Sequence, residues 1–136
     1  MDLSSEQMQG RVVVTVLHVK GDLDGTSYRN LMNLAKKEFE GGVRAFVIDL
    51  RETTYMSSAG LVALHSIVKM VREGKLADEE AGWSELHDID RETDKGLQQS
   101  VKLLSPQPRV EKVLDLAGLK SVFPIFTDML AAIASF

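Results

Sequence analysis

Two adjacent serines, Ser57 and Ser58, are the residues of this sequence whose type and position best fit a chemical role. They follow the apolar run 45–48 and a short polar turn, and they precede the small pair Ala59-Gly60, where an apolar helical repeat begins. A hydroxyl there lies at a helix start, where free backbone N–H groups and the helix dipole favour negative charge. Such a hydroxyl could cap the helix, bind a phosphate or carry one.

Taken alone, a serine before an apolar helix is most often an N-cap, which stabilises the helix by about 1 kcal/mol. The neighbourhood favours a further role, because Ala59 and Gly60 leave the hydroxyls open to approach. A glycine in the first turn also weakens a helix, here with no expected return in packing. A hydrolase nucleophile is disfavoured, because Met56 stands where the G-x-S-x-G pattern needs its first glycine.

The sequence offers no motif for a metal or a cofactor. There is no cysteine, so thiolate sites are excluded, and no P-loop or dinucleotide fingerprint is present. The acidic residues 88–94 do not fit the register of a calcium-binding loop. The three histidines, His18, His65 and His87, are scattered, and we interpret them as surface or satisfied polar residues. We therefore expect neither a metal nor a cofactor.

Length and composition predict a single globular domain spanning residues 1–136. The apolar fraction is 44% and the charged fraction 26%, which is ordinary for a water-soluble protein. The net charge of −4 disfavours nucleic-acid binding, which needs clustered Lys and Arg. No apolar run approaches the roughly 20 residues that span a bilayer, and no signal peptide is visible. We expect a cytoplasmic protein with no direct membrane insertion.

The hydrophobic pattern alternates between strand-like and helix-like periods, which predicts an α/β layer architecture with a largely parallel sheet. The run 43–50 is apolar on both faces, as in a central strand. A turn at 21–25 precedes Thr26 and Ser27, either of which could cap the next helix. Strands are predicted at 3–8, 11–19, 43–50, 101–105 and 122–126; helices at 28–39, 61–74, 109–116 and, capped by Thr127, up to residue 136.

Several of these segments, in this order, resemble the STAS domain, the fold of anti-sigma factor antagonists. The resemblance covers nearly all of the chain except residues 75–99. It implies a SpoIIaa-like layered fold, with a four- to five-stranded, mostly parallel or mixed sheet and about four helices mainly on one face. The matching segments are 21–24 (GDLD), 47–61 (VIDLRETTYMSSAGL), 106–113 (PQPRVEKV), 116–119 (LAGL) and 122–126 (VFPIF).

The resemblance implies a binding module rather than an enzyme. Antagonists of this family bind an anti-sigma factor, usually a GHKL-type serine kinase, and thereby release a sigma factor. Phosphorylation of one serine ends the interaction, and a phosphatase of the same pathway reverses it. The matching serine is Ser58, with Ser57 as second choice, and the chain would be a monomer or weak dimer. The implied partner-binding residues are Asp22, Asp24, Met56, Ser57, Ser58, Ala59, Gly60 and Leu61.

Two departures from the family pattern leave an alternative open. Ser57 stands where phosphorylated members commonly have Asp, and residues 76–99 form a polar insertion. Trp83, Leu86 and Ile89 in this insertion could form a short amphipathic helix or a loop that folds back on the domain. The alternative is a non-phosphorylated STAS scaffold, or a regulatory subunit of a stress-signalling or transport complex.

Overall fold

The computed structural model describes residues 1–74 and 97–136, which form a mixed sheet of six strands covered by helices on both faces. The strands are β1 (Asp2–Gln9), β2 (Val13–Leu23), β3 (Phe46–Asp49), β4 (Thr53–Met56), β5 (Val101–Leu104) and β6 (Ile125–Phe126). The helices are α1 (Tyr28–Glu40), α2 (Ser58–Glu73), α3 (Pro108–Leu116) and α4 (Met129–Ala134), with a 3-10 turn at Leu119–Ser121.

The sheet has the order β1-β2-β3-β5-β6, and β4 pairs with the last residues of β2. Among the strands of the described residues, β1 and β2 form the one antiparallel pair, and the other pairs are parallel. The predicted α/β architecture is therefore confirmed. β4 is an addition, because it lies where the sequence predicted only a polar turn. It is held by its partner strand: the Thr53 hydroxyl donates a hydrogen bond to the carbonyl of Val19 (2.8 Å).

The two faces of the sheet carry layers of unequal size. Helices α1, α2 and α3 cover one face, with a large core around Leu17, Phe46 and Ile48. The short α4 covers the other face, which we call the α4 face, where Val16 and Val47 pack against it in a smaller core. All four residues of β3 are buried. This confirms a central strand, although it is shorter than the predicted 43–50.

The second strand is longer than predicted, because residues 21–23 continue it instead of turning away. Gly21 makes this possible: its φ of +99° lies in the left-handed region that favours glycine, and the strand register shifts there as in a β-bulge. The Gly21 N–H donates to the carbonyl of Glu52 (2.9 Å). The bulge thus aligns the end of β2 with β4.

Two predicted helix caps are wrong in detail. Asp128 rather than Thr127 caps α4, since the Asp128 carboxylate accepts the Ala131 N–H (2.9 Å). Ser27 holds the N-cap position of α1, but its hydroxyl donates to the carbonyl of Asp22 (2.8 Å) instead of capping. At α4 the Asp128 carboxylate takes the place of the predicted cap, and at α1 the Ser27 hydroxyl oxygen accepts the Asp24 N–H (3.0 Å) in place of a helix N–H.

The predicted strand at 122–126 is also shorter than expected, because only Ile125–Phe126 pair with β5. The segment around Trp83, Leu86 and Ile89, for which the sequence left a helix and a loop open, lies outside the described residues. No helix among the described residues is long and apolar enough to span a membrane.

Four charged side chains form a connected network at one end of the α4 face. His18 lies between two carboxylates, with Nδ1 2.6 Å from Asp49 Oδ2 and Nε2 2.9 Å from Glu6 Oε1. Arg51 donates two further hydrogen bonds to Asp49, from Nε (3.0 Å) and from a terminal nitrogen (2.9 Å). His18 is therefore a satisfied polar residue, as the sequence predicted.

The network shifts the pKa values of its members. Burial acts to lower the pKa of His18, but the hydrogen bonds to Glu6 and Asp49 and their negative charges outweigh it and raise the pKa above 6.5. Burial acts to raise the pKa of Asp49, but hydrogen bonds from Arg51 and His18 hold it below its ordinary value. The network therefore favours the charged forms of both His18 and Asp49.

The His18→Gln variant should lose stability in a pH-dependent way. A histidine whose pKa is raised on folding stabilises the native state below its unfolded pKa, and this contribution is lost as pH rises through the folded pKa. We expect the variant to lower the free energy of unfolding by about 1 kcal/mol near pH 6 and by much less near pH 9. Urea unfolding at the two pH values measures this, and an equal loss at both would contradict the charge network.

Candidate functional site

The end of β2 and the start of α2 meet through one backbone hydrogen bond. The N–H of Ser57 donates to the carbonyl of Leu23 (3.0 Å), and Leu23 is paired with Met56 in the parallel register of β2 and β4. Asp22 and Asp24 flank Leu23 in the sequence. The structure therefore places both acids beside the serine pair, at the carboxyl end of the parallel strands.

The two serines have different structural roles. Ser57 is the N-cap of α2 in an extended conformation, and its hydroxyl oxygen accepts the Ala59 N–H (3.2 Å). Ser58 is the first residue of this 16-residue helix and is exposed. Its hydroxyl makes no hydrogen bond with any of the described residues. The capping function thus belongs to Ser57, and the hydroxyl of Ser58 is open to solvent.

The two acids are held in place by neighbouring hydroxyls. The exposed Asp22 accepts a hydrogen bond from the Thr54 hydroxyl (2.7 Å). Asp24 accepts hydrogen bonds from the Thr26 hydroxyl (2.7 Å) and the Thr26 N–H (2.9 Å), and these lower the pKa of Asp24. The surface beside Ser58 therefore carries positioned negative charge near neutral pH.

Gly60 lies where the start of α2 meets β2 and β4, and a side chain would not fit there. A Cβ at this position would lie 2.6 Å from Met56 Cγ and 3.0 Å from the Leu23 carbonyl oxygen. The expectation that this glycine brings no return in packing is therefore wrong. Its hydrogen lets the first turn of α2 lie directly against β2 and β4.

The sequence-predicted partner-binding residues divide into a surface and a layer beneath it. Asp22 and Ser58 are exposed, and Asp24, Ser57 and Ala59 are half-buried. Met56 and Leu61 are 1% and 8% exposed, and Gly60 is also buried. These last three shape the site from below and support the exposed residues.

Sequence reasoning missed two exposed residues of this surface, Thr54 and Tyr55. Tyr55 is 42% exposed and lies opposite Asp22 in the strand register. Both residues belong to β4, which the sequence analysis treated as turn. Threonine and tyrosine are enriched in strands, so these two residue types could have indicated that this segment is a strand.

Comparison with known proteins gives one family and a consistent set of relatives. A family model described as STAS domain matches residues 6–77, just over half of the chain. BtrV of Bordetella bronchiseptica, named as a candidate anti-sigma factor antagonist, is 23% identical over 136 residues, which is all of this chain and 95% of the relative.

Solved structures show the same fold. A candidate anti-sigma factor antagonist from Thermotoga maritima superposes with a TM-score of 0.69 at 17% identity, covering 96% of this chain and 90% of the other. The anti-sigma factor antagonist SpoIIAA in its unphosphorylated form gives 0.64 at 18% identity, covering 96% and 92%. The phosphorylated form of SpoIIAA, from Bacillus, gives 0.52 at 18% identity with 96% of both chains covered.

The Gly60→Ala variant should be destabilised although alanine is the better helix former. We expect a loss of about 1–3 kcal/mol in the free energy of unfolding, since the added methyl collides with Met56 and the Leu23 carbonyl. Gly25→Ala is the matched control, because a Cβ there meets nothing within 4 Å. Urea unfolding of both variants decides the matter, and equal stabilities would show that close packing does not select this glycine.

The division of roles between the serines predicts unequal effects on stability. Ser57→Ala should lower the free energy of unfolding by about 1 kcal/mol, because it removes an N-cap. Ser58→Ala should change it by less than about 0.5 kcal/mol, as for an exposed residue without a hydrogen bond. Thermal and urea unfolding measure both, and a larger loss for Ser58→Ala would reverse the assignment.

Proposed function

Because this chain belongs to the STAS domain family, we propose that it is an anti-sigma factor antagonist whose activity is ended by phosphorylation of Ser58. The partner is an anti-sigma factor with GHKL-type serine kinase activity, and a phosphatase of the same pathway restores the active form. The single observation that carries this proposal is the exposed, unengaged hydroxyl of Ser58 at the start of α2, beside Asp22 and Asp24.

Exposure and hydrogen bonding favour Ser58 over Ser57 as the phosphate acceptor. A kinase must reach the hydroxyl oxygen, and the hydroxyl of Ser57 is half-buried and engaged in capping α2. Serine replaces the family's usual Asp at position 57, and both residue types are strong N-caps. The replacement therefore keeps the helix start intact and removes one negative charge next to the acceptor.

A phosphate on Ser58 would change the surface without requiring a change of fold. It adds about −1.5 to −2 charges at the first residue of α2, where the helix dipole stabilises an anion by roughly 0.3–1 kcal/mol. The anchored carboxylates of Asp22 and Asp24 are near neighbours in the fold and repel it. A partner that approaches this surface must then accommodate three clustered anionic groups.

The unphosphorylated surface has the features of a small binding site. The half-exposed Tyr55 can act as an aromatic anchor, a residue type enriched among energetically important interface positions. Asp22 and Asp24 can pair with basic groups of the anti-sigma factor, which would set orientation and association rate. The buried Met56 and Gly60 hold this surface in one shape.

Phosphorylation of Ser58 is the prediction that tests this function. Intact-mass analysis of the protein from its native host, in growing and in stressed cells, should reveal a species carrying a single phosphate. Peptide mapping across residues 53–69 should place that phosphate on Ser58. An unmodified mass under both conditions would favour the scaffold alternative, and phosphate on Ser57 would keep the mechanism but correct the site.

Three variants extend this test to the Kd for the host's anti-sigma factor and to phosphate acceptance. Ser58→Asp should raise the Kd at least tenfold, which corresponds to about 1.4 kcal/mol, because it imitates part of the phosphate charge. Ser58→Ala should bind nearly as well as wild type and accept no phosphate. Ser57→Ala should still accept phosphate, although the protein is less stable. Unchanged binding by Ser58→Asp would argue against a charge-based switch.

A further inference from the structure

Helix α3 carries two cations and one leucine on a single exposed face. Arg109, Lys112 and Leu116 follow one another at intervals of three and four residues, which places them on one side of a helix. All three are exposed, and Leu116 is 79% exposed. The core contacts of α3 come from Val110 and Leu114 instead. We call the three exposed residues the α3 stripe.

The acidic residues of α3 lie on its other flank. Glu111 pairs with Lys120 of the 3-10 turn, with 2.9 Å between Oε1 and Nζ. The hydrogen bond to Glu111 and the smaller effect of the Asp115 charge raise the pKa of Lys120. Both acids therefore face the 3-10 turn, and the α3 stripe lies on the side of the helix away from it.

The positive charges of the α3 stripe are not neutralised by the part of the chain that the structure describes. Neither Arg109 nor Lys112 forms an ion pair or a side-chain hydrogen bond with a described residue. Like charges this close on a helix repel each other, and a cation in the first turn opposes the helix dipole. Folding alone does not favour this arrangement, so the stripe is free to engage another molecule.

The start of α3 is tied to the surface that carries Tyr55. Gln107, at the N-cap position of α3, donates from its side-chain amide to the carbonyl of Arg51 (2.9 Å). Arg51 belongs to the turn that leads into β4, and α3 packs against β4. The α3 stripe begins at Arg109, two residues after Gln107. It therefore starts beside the surface proposed for partner binding.

We propose that the α3 stripe is a second contact surface for the anti-sigma factor, and that it takes a segment of that partner in which carboxylates lie beside apolar side chains. This inference rests on the proposed function, because it concerns the same partner. Asp22 and Asp24 attract basic groups, whereas the stripe attracts acidic ones. A partner must then present both signs of charge in matching positions, which fixes its orientation and disfavours proteins that carry only one sign.

Arg109→Glu tests the electrostatic part of this contact. It should raise the Kd for the host's anti-sigma factor at least tenfold at about 0.05 M salt, and by a smaller factor at about 0.5 M, where charges are screened. Glutamate is favourable in the first turn of a helix, so the fold should persist. Lys36→Glu, at an exposed lysine of α1, makes the same kind of charge reversal and should leave the Kd within about twofold of wild type.

Leu116→Gln tests the apolar part. Because this leucine is mostly exposed, its replacement should leave urea unfolding unchanged. We expect the Kd to rise about fivefold at both salt concentrations, since apolar contact is not screened by salt. Leu130→Gln is the matched control: Leu130 is 69% exposed in α4, on the other face of the sheet, and its replacement should not change the Kd.

Amide chemical shifts of the isotopically labelled chain locate the contact directly. Addition of the anti-sigma factor should change the shifts at residues 109–116 as well as at 22–24 and 54–58. Wild-type Kd values for Arg109→Glu and Leu116→Gln, equal losses in the two control variants, or shifts confined to the serine surface would overturn the inference. If Ser58→Asp still weakened binding, the proposed function would stand. Absence of binding by the wild type would overturn both.

Discussion

The contact between the backbone of Leu23 and the first turn of α2 is the constraint on which the site depends. Its carbonyl accepts the Ser57 N–H and also lies where a side chain at residue 60 would have to fit. Strand β4 has room to pair with β2 because the bulge at Gly21 shifts the register at that point. If either the bulge or the glycine contact were lost, the helix start would move away from the two acids.

This junction explains why neighbouring serines have separate functions. A helix start has one N-cap position, and the hydrogen bond to Leu23 fixes Ser57 there. Ser58 is then the first helical residue, and its side chain is exposed. The two hydroxyls are chemically alike, so their different roles follow from their positions at the helix start.

Two groups of polar residues lie toward the carboxyl end of the parallel strands. The serine site follows the carboxyl end of β4, where α2 begins. The ion network around Asp49 and His18 occupies the polar end of the α4 face. Lys102 is on that same face, in the part that α4 covers. The short α4 thus encloses a cation and leaves the histidine network partly exposed.

Much of the fold was predictable because strand and helix periods are local properties of the chain. Residue spacing alone predicts a central strand within 43–50, the apolar face of α2 and the serines at the start of that helix. The caps of α1 and α4 were not, since the Ser27 hydroxyl bonds to the Asp22 carbonyl and the Asp24 N–H, and Asp128 competes with Thr127 for the helix N–H. Such competition depends on the distances between groups in the folded chain.

The sequence by itself determined the α/β class, the family pattern and the position of the serine pair. Only the tertiary structure decided that Ser57 caps and Ser58 is free, that Gly60 is required for packing, and that Tyr55 belongs to a strand. It also decided that Lys102 is buried, with its ammonium held by the Ser135 hydroxyl and the face of the Phe136 ring. The physical reason is that these outcomes depend on contacts between distant segments, which local periodicity does not encode.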